Sequence, residues 1–475
     1  MQRRRAWILG SIAFACTATC APQAAAADDT LLEAAANSLI ARHVQPSVGG
    51  WAWHSVIQAP NLQVDRDVGA ASSGMGLLAA YETTNDATYL NAAAEAGTWL
   101  LAVAQPANGG LRWPDYDNGG KRISPHHYSS FDDGAAGISD FLWRLYAATG
   151  NADFSNGAVA GMTWLESQAH APAGSSCPQT SCYWIWDDYR DNQIFTGMGE
   201  GVAGIAYAFD TFAQETGDSS YESYALAAAS WLEAQIAANG AIPEHPGTKQ
   251  YDTGYLSGSA GDAFLFARLY QRTGNVRWLN DAETLESFVR AQGKAQAGGG
   301  TAWPIEVGHQ ANAAFATGIE EGAAGIGWVE LQLYALTGNA AYLGVAESAG
   351  TWLLSVETDM SGGVCWAKNS GGTTWHTSLD NGAPGIGWFL YDLSLADGNQ
   401  TYDDAALAAQ TWLQNVAFSD TNGSFWYENF TVSPQNPRWH LAADPSWHWG
   451  LAGIAAYFAR LDGWTTDIPG EQPGL

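Results

Sequence analysis

Acidic side chains stand directly before a short glycine-containing phrase that the chain repeats. In copies two to seven of Gly-x-x-Gly, the two preceding residues are Asp132-Asp133, Gly199-Glu200, Leu256-Ser257, Glu320-Glu321, Asp380-Asn381 and His448-Trp449. An acid at a helix N-terminus often serves only to cap the helix and complement its dipole. Cleavage of a glycosidic bond, however, needs two carboxyl groups on either side of it, one as acid and one as base or nucleophile. If the repeats bring these positions together, crowding would raise the pKa of one carboxyl and create such a pair.

The candidate catalytic residues follow from these positions. The possible acids and bases are Asp132, Glu200, Glu320, Glu321 and Asp380, with His448 as a possible proton carrier. Which of these acids face one another depends on the geometry of the repeat.

Tryptophans in the loops between repeats form the candidate substrate-binding set. Those on the outer helices of each repeat, such as Trp99, Trp164 and Trp352, are expected to fill the core. No helical stripe requires the loop tryptophans, and aromatic faces in an acid-lined cleft suit stacking on sugar rings. The set consists of Trp113, Trp186, Trp303, Trp366, Trp375 and Trp449.

The glycine phrase itself recurs through most of the chain. Copies begin at Gly134, Gly201, Gly258, Gly322, Gly382 and Gly450, and a degenerate first copy is Ala71-Ser72-Ser73-Gly74. Successive copies start 57 to 68 residues apart. A period of this size indicates one supersecondary unit stacked on copies of itself.

Each unit has the pattern of two helices joined by a tight turn. In the fifth copy, an apolar run from Gly325 to Leu336 is broken by Thr337-Gly338-Asn339 and followed by a second helical stretch from Ala340 to Leu354. Neither end of the chain reads as a polar cap, so we predict that the units close on themselves. The predicted fold is all-α: an α/α toroid of seven helical hairpins with the glycine-initiated helices inside.

Segments of the form Gly-Gly-x-x-Trp lie between the hairpins. Examples are Gly109 to Trp113, Gly299 to Trp303 and Gly362 to Trp366. We predict short β-hairpins there, gathered at the end of the ring that carries the Gly-x-x-Gly turns.

At this point the sequence resembles the LanC-like family, the lanthionine cyclases and their relatives. In that family, Gly-x-[Ala/Pro]-Gly-[Ile/Val] opens the inner helices of a seven-hairpin α/α toroid, and residues 322–327, 382–387 and 450–454 match this phrase closely. The resemblance covers about residues 31–462. Six-hairpin glycosidases share the general architecture with one unit fewer.

The resemblance implies a metal site from which this chain departs. Zinc-dependent members take one ligand from Cys-Tyr-Gly-x-Pro-Gly and two from Cys-His-Gly. Here Asp380 replaces the first cysteine, His448 the second, and Trp449 the histidine. Asp380 and His448 remain possible ligands, but two donors fall short of a zinc site. We therefore expect no cofactor, with zinc at these two residues as the exception that metal analysis would reveal.

The charge of the chain and its N-terminal sequence limit the partners and the location to be expected. The net charge of −29 argues against binding to nucleic acid or to anionic membranes. Residues 1–27 read as a signal peptide, with Arg3-Arg4-Arg5, an apolar stretch and a small-residue cleavage region. We expect a monomer exported to the periplasm or secreted, with no membrane insertion after cleavage; the export route stays open.

The remaining chain is predicted to form one LanC-like domain over 28–463 and a flexible tail over 464–475.

Cysteine usage fits an oxidising compartment. Cys177 and Cys182 bracket a short loop and could form a small disulfide, while Cys365 is expected to be a buried small apolar residue.

Three functions remain open from the sequence. The favoured hypothesis is an enzyme that acts on an extracellular polymer, preferably a glycan, as hydrolase or lyase. The second is lanthionine-synthetase-like peptide modification with a remodelled metal site. The third is a carbohydrate- or peptide-binding protein without turnover.

Overall fold

The protein is described by a computed structural model over residues 29–55, 61–118, 122–189, 192–308, 314–431, 438–439 and 443–465. The predicted signal peptide and residues 466–475 of the predicted tail lie outside these ranges. Within the described residues the chain has fourteen helices and only short strands, which confirms the predicted all-α class. No helix in this part of the chain has the length and apolar character needed to span a membrane.

The helices follow one another in pairs. In chain order they are α1 (Asp29–Ala41), α2 (Ala70–Thr84), α3 (Ala87–Val103), α4 (Ala135–Thr149), α5 (Ala152–Gln168), α6 (Val202–Thr216), α7 (Ser219–Glu233), α8 (Ser259–Thr273), α9 (Val276–Gln292), α10 (Ala323–Thr337), α11 (Ala340–Val356), α12 (Ala383–Asp397), α13 (Gln400–Val416) and α14 (Leu451–Leu461). The even-numbered helices are buried on nearly every face over their first turns, whereas the odd-numbered ones bury a single stripe. A helix that is apolar all round belongs in an interior, so the even-numbered helices form the inner ring.

The turn between the two helices of a unit explains a recurrent tripeptide. At the end of α10, the Thr337 hydroxyl donates to the carbonyl of Leu333, and Gly338 adopts a left-handed conformation with φ of 66°. The Asn339 side chain then caps α11 by accepting from the N–H of Ala341 at 3.1 Å. In Thr-Gly-Asn, the threonine therefore bonds to the end of the first helix, the glycine provides the left-handed turn, and the asparagine caps the second helix.

The ring is closed by contact between its first and last inner helices. A Cβ added to Gly76 in α2 would lie 2.6 Å from the Cα of Ala452 in α14. The N–H of Trp447, just before α14, donates to the Ser72 hydroxyl, and α1 packs on α14 as its outer partner. The predicted α/α toroid is therefore confirmed, with α1 completing the seventh pair.

Crowding accounts for the second glycine of the repeated phrase. A Cβ on Gly137 would overlap the carbonyl oxygen of Phe131, and a Cβ on Gly325 would overlap that of Ile319. In copies two to seven the chain that enters the inner helix passes directly over the helix's first turn. In these copies only glycine leaves room for that approach.

The first copy of the phrase lies two residues earlier than the sequence reading places it. Helix α2 begins at Ala70 after the N-cap Gly69, so the structural counterpart of Gly-x-x-Gly is Gly69-Ala70-Ala71-Ser72. Ser72 takes the place of the second glycine, and its hydroxyl donates to the Asp67 carbonyl at 2.8 Å. Because the polar side chain finds these local partners, the glycine is dispensable in this copy and the pattern is obscured.

Short strands lie at one end of the ring. They are β1 (Gln105–Ala107), β2 (Gly110–Arg112), β3 (Gln250–Asp252), β4 (Lys294–Ala295), β5 (Thr301–Ala302), β6 (Glu306–Gly308), β7 (Thr358–Met360), β8 (Gly363–Cys365), β9 (Thr374–His376), β10 (Phe418–Asp420), β11 (Gly423–Phe425), β12 (Asn429–Thr431) and β13 (Arg438–Trp439). The pairs β1–β2, β4–β5 and β7–β8 are antiparallel hairpins at the Gly-Gly segments, and β10–β11 is an antiparallel hairpin whose turn contains Asn422-Gly423. The others form the pair β3–β6 and the sheet β13–β12–β9.

The structure shows the state of the cysteines and the contacts of the last described residues. A disulfide joins Cys177 and Cys182, and Cys365 is buried with a free thiol. Trp464 is also buried, and its indole N–H donates to Glu82 at 2.7 Å. The folded part of the chain thus includes the residue at which the sequence places the start of the tail.

Candidate active site

The turns that precede the inner helices form a continuous backbone belt around the ring axis. We define the belt as the residues two positions before each N-cap glycine: Asp67, Asp132, Gly199, Leu256, Glu320, Asp380 and His448. The N–H of Asp67 donates to the carbonyl of Asp132 at 3.1 Å, and the N–H of Asp132 donates to Gly199 at 3.1 Å. The same bond continues at 2.9–3.2 Å from Gly199 to Leu256, Leu256 to Glu320, Glu320 to Asp380 and Asp380 to His448. Belt residues are therefore held in fixed order on rigid backbone.

A buried layer lies next to the belt. It consists of the residues one position earlier in each turn: Arg66, Phe131, Met198, Tyr255, Ile319, Leu379 and Trp447. The Arg66 guanidinium lies 4.5 Å from the centre of the Phe131 ring and 6.0 Å from that of Trp447. This layer fills the centre of the ring and supports the belt from the helix side.

The belt opens into a cavity of about 310 Å³. Its described lining is Asp67, Asp132, Asp133, Phe195, Gly197, Gly199, Glu200, Gly201, Glu244, Asp252, Leu256, Ser257, Glu320, Glu321, Asp380, His448 and Trp449. All the predicted catalytic residues are thus brought together. A wider open groove of about 770 Å³ on the outer side of α9 has Glu283 as its one described acid and offers no comparable cluster.

Three belt residues form a charged row. The Asp380 Oδ1 lies 2.7 Å from His448 Nδ1, and His448 Nε2 lies 3.6 Å from Asp132 Oδ1. Burial alone would lower the pKa of His448, which is 2% exposed, but the two carboxylates outweigh it and hold the pKa well above its usual value. Burial raises the pKa of Asp380, and His448 opposes this rise. The imidazole is therefore an imidazolium at neutral pH, positioned by Asp380 and facing Asp132.

Glycine at position 199 allows Asp132 its place in the row. A Cβ on Gly199 would overlap Asp132 Oδ2. The carboxylate therefore crosses the neighbouring turn, and any side chain there would push it away.

Glu320 has the environment of a carboxylic acid that stays protonated near neutrality. Burial, followed by repulsion from Asp380 and Glu321, raises its pKa to about 8. The Asn381 amide donates to Glu320 Oε2 at 2.9 Å and fixes the orientation of the group. Lys368 Nζ lies 3.9 Å from Glu321 Oε2 and balances part of the charge.

Two further acids with raised pKa lie on the other side of the belt. Burial, then repulsion from Asp133, raises the pKa of Glu200 to about 8, and burial, then Asp132, raises the pKa of Asp133 to about 7. The Trp186 indole N–H is 3.3 Å from Asp133 Oδ2. Glu200 is exposed, so solvent screening weakens its interactions, and half-buried Glu320 is the better general-acid candidate.

Sequence reasoning missed several acids of the cavity. Asp67 occupies the belt position of the first copy, and an alignment on Gly69 would have found it. Asp133, directly before the N-cap Gly134, is also absent from the predicted catalytic set. Asp252, at the end of β3, and Glu244 lie six and fourteen residues before Gly258, outside the two positions that directly precede the phrase, and no sequence signal marks them.

The candidate tryptophans separate into two groups. Trp113, Trp303 and Trp366 are buried, and their indole N–H groups donate to outer-helix carbonyls of Leu100, Val289 and Leu353 at 2.8, 2.9 and 2.8 Å. These three hold the loop hairpins on the outer helices.

The other tryptophans lie nearer to the cavity or in the sheet. Trp375, in β9, is 9% exposed, with its N–H 3.4 Å from the Thr358 hydroxyl. Trp186 borders the cavity through Asp133, and Trp449 lines it. Of the six candidates, Trp449 alone is part of the described lining.

The donor set does not fit the zinc site that the family resemblance implies. The indole of Trp449 has no lone pair to offer a metal, and His448 Nδ1 is committed to Asp380. Among the described residues, no group of three His, Cys, Asp or Glu side chains has an arrangement suited to a metal ion.

Comparisons with known proteins agree with the fold. The family model described as lanthionine synthetase C-like protein matches residues 196–462. The structure is similar to nisin cyclase, with 12% identity and a TM-score of 0.56 over 84% of this chain and 89% of that chain. No curated protein matches the sequence.

Two sugar-processing enzymes also share the architecture. A D-mannose isomerase has 14% identity and a TM-score of 0.50, over 93% of this chain and 99% of that chain. A sugar epimerase from a ruminal bacterium has 10% identity and a TM-score of 0.51, over 91% and 98%. At these identities the likeness concerns the fold alone.

Proposed function

We propose that this chain, which belongs to the lanthionine synthetase C-like family, is an enzyme that cleaves a glycan between carboxyl groups of its central cavity. The proposal includes the export that the N-terminal sequence predicts, which would bring the cavity to extracellular polymers. The side chains of Asp380, His448 and Trp449 do not fit zinc, and no other group suited to a metal lies in the described part of the chain, which argues against the zinc-dependent peptide chemistry of the family.

The order of acids around the belt is the observation that carries the proposal. Asp132, Asp133 and Glu200 precede α4 and α6, whereas Glu320, Glu321 and Asp380 precede α10 and α12. Leu256 and Ser257 separate the two groups on one side, and Asp67 and His448 separate them on the other. A bond bound in the cavity would therefore have carboxyl groups on both sides, as glycoside hydrolysis requires.

Glu320 is the less exposed of the two acids whose pKa is raised to about 8, which suggests how the roles are divided between the two groups. Glu320, with a pKa of about 8, is the general acid that protonates the leaving glycosidic oxygen. Asp132 is the general base: it takes a proton from the water that attacks the anomeric carbon as the carbon–oxygen bond breaks. His448 orients Asp132 and stabilises its charge, and Asp380 positions His448. Exchange of protons with solvent restores both residues.

Charge favours hydrolysis over elimination. A lyase removes a proton next to the carboxylate of a uronic acid, so its substrate is anionic. A cavity lined by acids on nearly every side would repel that substrate. A neutral or cationic glycan meets no such barrier.

The test is a screen of bacterial and plant polysaccharides with release of reducing ends as the readout, run with and without chelator. We expect cleavage of at least one polymer, unaffected by chelator. The variants Glu320→Gln and Asp132→Asn should each lose about 10²-fold or more in kcat/KM. Glu283→Gln, which alters an exposed acid of the outer groove, is the matched control and should keep full activity.

Two outcomes would contradict the proposal. Full activity in both cavity variants would remove the assigned acid and base. Tight binding of a glycan with no product after prolonged incubation would identify a binding protein instead.

A further inference from the structure

We propose that the substrate is a cationic glycan, one that carries free amino groups on its sugar units. This inference rests on the proposed function and specifies the chemistry of its substrate. Its basis is the sign and arrangement of the charges that line the cavity.

The cavity has a strong excess of acid. Its described carboxyl groups are Asp67, Asp132, Asp133, Glu200, Glu244, Asp252, Glu320, Glu321 and Asp380. Among the described lining residues, His448 is the one basic side chain, and it is already placed between Asp380 and Asp132. Outside the lining, two described basic side chains pair with lining acids: His245 lies 3.8 Å from Glu244, and Lys368 lies 3.9 Å from Glu321. Among the described lining residues, nine carboxyl groups thus accompany one basic side chain.

Buried acceptors in the cavity also lack donors. Asp132 is 8% exposed, and its Oδ1 makes no hydrogen bond although His448 Nε2 lies 3.6 Å away; the buried Oδ1 of Asp67 makes none either. Leaving a buried acceptor unsatisfied costs about 1–3 kcal/mol. A ligand that brings N–H donors into the cavity would remove this cost. An ammonium group brings three such donors and a positive charge, whereas a hydroxyl brings one donor and no charge.

The pKa values of the lining acids are consistent with this arrangement of charges. Burial first, and then their carboxylate neighbours, raise the pKa of Glu200 and Glu320 to about 8 and that of Asp252 to about 7. These acids therefore hold part of their protons at neutral pH because they are buried and lie beside other carboxyl groups. A bound ammonium would lower all three pKa values, so binding should release protons.

Aromatic lining favours a sugar over a linear polyamine or a cationic peptide. Phe195 and Trp449 both line the cavity, and flat apolar faces suit the faces of a sugar ring. An isolated divalent cation is disfavoured because no described cluster has a metal-binding arrangement.

The experiment compares glycans that differ in the amino group alone. Polymers of β-1,4-glucosamine and of α-1,4-galactosamine are each tested with free amines and in their fully N-acetylated form, by calorimetric binding and by cleavage. We expect at least tenfold tighter binding of a free-amine form at pH 7, weakened by added salt. The heat of binding should differ between phosphate and Tris buffers, because the protons released on binding are taken up by the buffer. The sign of the difference should correspond to proton release.

A variant pair separates cavity charge from catalysis. Glu244→Gln removes a cavity acid that has no role in the proposed acid–base step and should reduce the preference for the free amine several-fold. Glu283→Gln in the outer groove should leave that preference unchanged.

The possible failures are distinguishable. Equal or tighter binding of the N-acetylated or a neutral glycan, with cleavage, would overturn the cationic substrate and uphold the proposed function. Binding of polylysine with no binding or cleavage of any glycan would overturn both, and would point to a cationic peptide as the ligand.

Discussion

At the scale of single residues, the site depends on how neighbouring groups set the protonation of one carboxyl. Glu320 is half-buried between Asp380 and Glu321, and these like charges together with burial raise its pKa to about 8. Asn381 works in the opposite direction, because its amide donates to the carboxylate and favours the ionised form. A general acid with this pKa is protonated at pH 7 and loses its proton above pH 8.

The first prediction concerns the pH dependence of kcat/KM. Activity should fall as pH rises through about 8, when Glu320 deprotonates. The substitution Asn381→Leu removes a hydrogen bond worth about 1 kcal/mol, which should raise the pKa of Glu320. The alkaline limb of the pH profile, where activity falls, should then move upward by about 0.7 pH unit. Glu321→Gln removes a like charge and should shift the same limb downward. A limb that moves with neither substitution would mean that another group titrates.

The sequence predicts the identity of these residues better than their roles. Asp132, Glu320, Asp380 and His448 can be selected because each stands two residues before a glycine phrase. Their roles depend on distances around the ring, which the spacing of residues along the chain does not encode. These distances place His448 between two carboxylates and make Glu320 the group with an accessible proton.

At the scale of elements, the turn before each inner helix is the unit that positions the chemistry. Its backbone bonds to the next turn, its last residues enter the cavity, and the helix's second glycine makes room for its carbonyl. The repeat is therefore readable from sequence where glycine is retained. In the first copy, Ser72 replaces that glycine, the register is misread by two residues, and Asp67 is overlooked.

The loop tryptophans show a second limit of the sequence. Trp113, Trp303 and Trp366 have no helical stripe to explain them, which suggested a binding role. In the structure each indole N–H donates to a carbonyl of an outer helix, a long-range bond that links hairpin and helix. Their recurrence therefore has a structural cause that a search for helical periodicity does not detect.

The second prediction tests the turn geometry. In Gly199→Ala the new methyl group would overlap Asp132 Oδ2 and force the carboxylate out of the row with His448. We expect a loss of about 10²-fold in kcat/KM, since small misplacements of a reacting group have effects of this size. The matched control is Gly344→Ala in α11, where the added methyl meets nothing within 4 Å and should be neutral or slightly stabilising. Unchanged activity in Gly199→Ala would show that Asp132 does not need this position.

At the scale of the whole molecule, closing the ring concentrates acids from distant parts of the chain into one small volume. The helices bury enough apolar surface to maintain this arrangement, but the carboxyl groups oppose it when they ionise. Burial and mutual repulsion raise the pKa of Glu320 to about 8 and that of Asp133 and Asp252 to about 7 in the folded state. In the unfolded chain these groups titrate near pH 4.

The third prediction is that stability falls with rising pH. Because these carboxyls bind protons more tightly when folded, their contribution to the free energy of unfolding is present at about pH 4 and is lost as pH rises toward 8. The midpoint of thermal unfolding should therefore be higher at pH 5.5 than at pH 8. Glu320→Gln should reduce this difference, whereas the exposed-acid control Glu283→Gln should not. A midpoint that rises with pH over this interval would contradict the assigned protonation states.

The central claim is that Glu320 protonates a leaving sugar oxygen while Asp132 activates water. The most direct measurement compares each variant on the natural glycan and on an aryl glycoside of the same sugar, whose leaving group needs no proton. Glu320→Gln should lose about 10²-fold or more on the glycan and far less on the aryl glycoside, whereas Asp132→Asn should lose activity on both. Equal losses of Glu320→Gln on the two substrates would contradict the account.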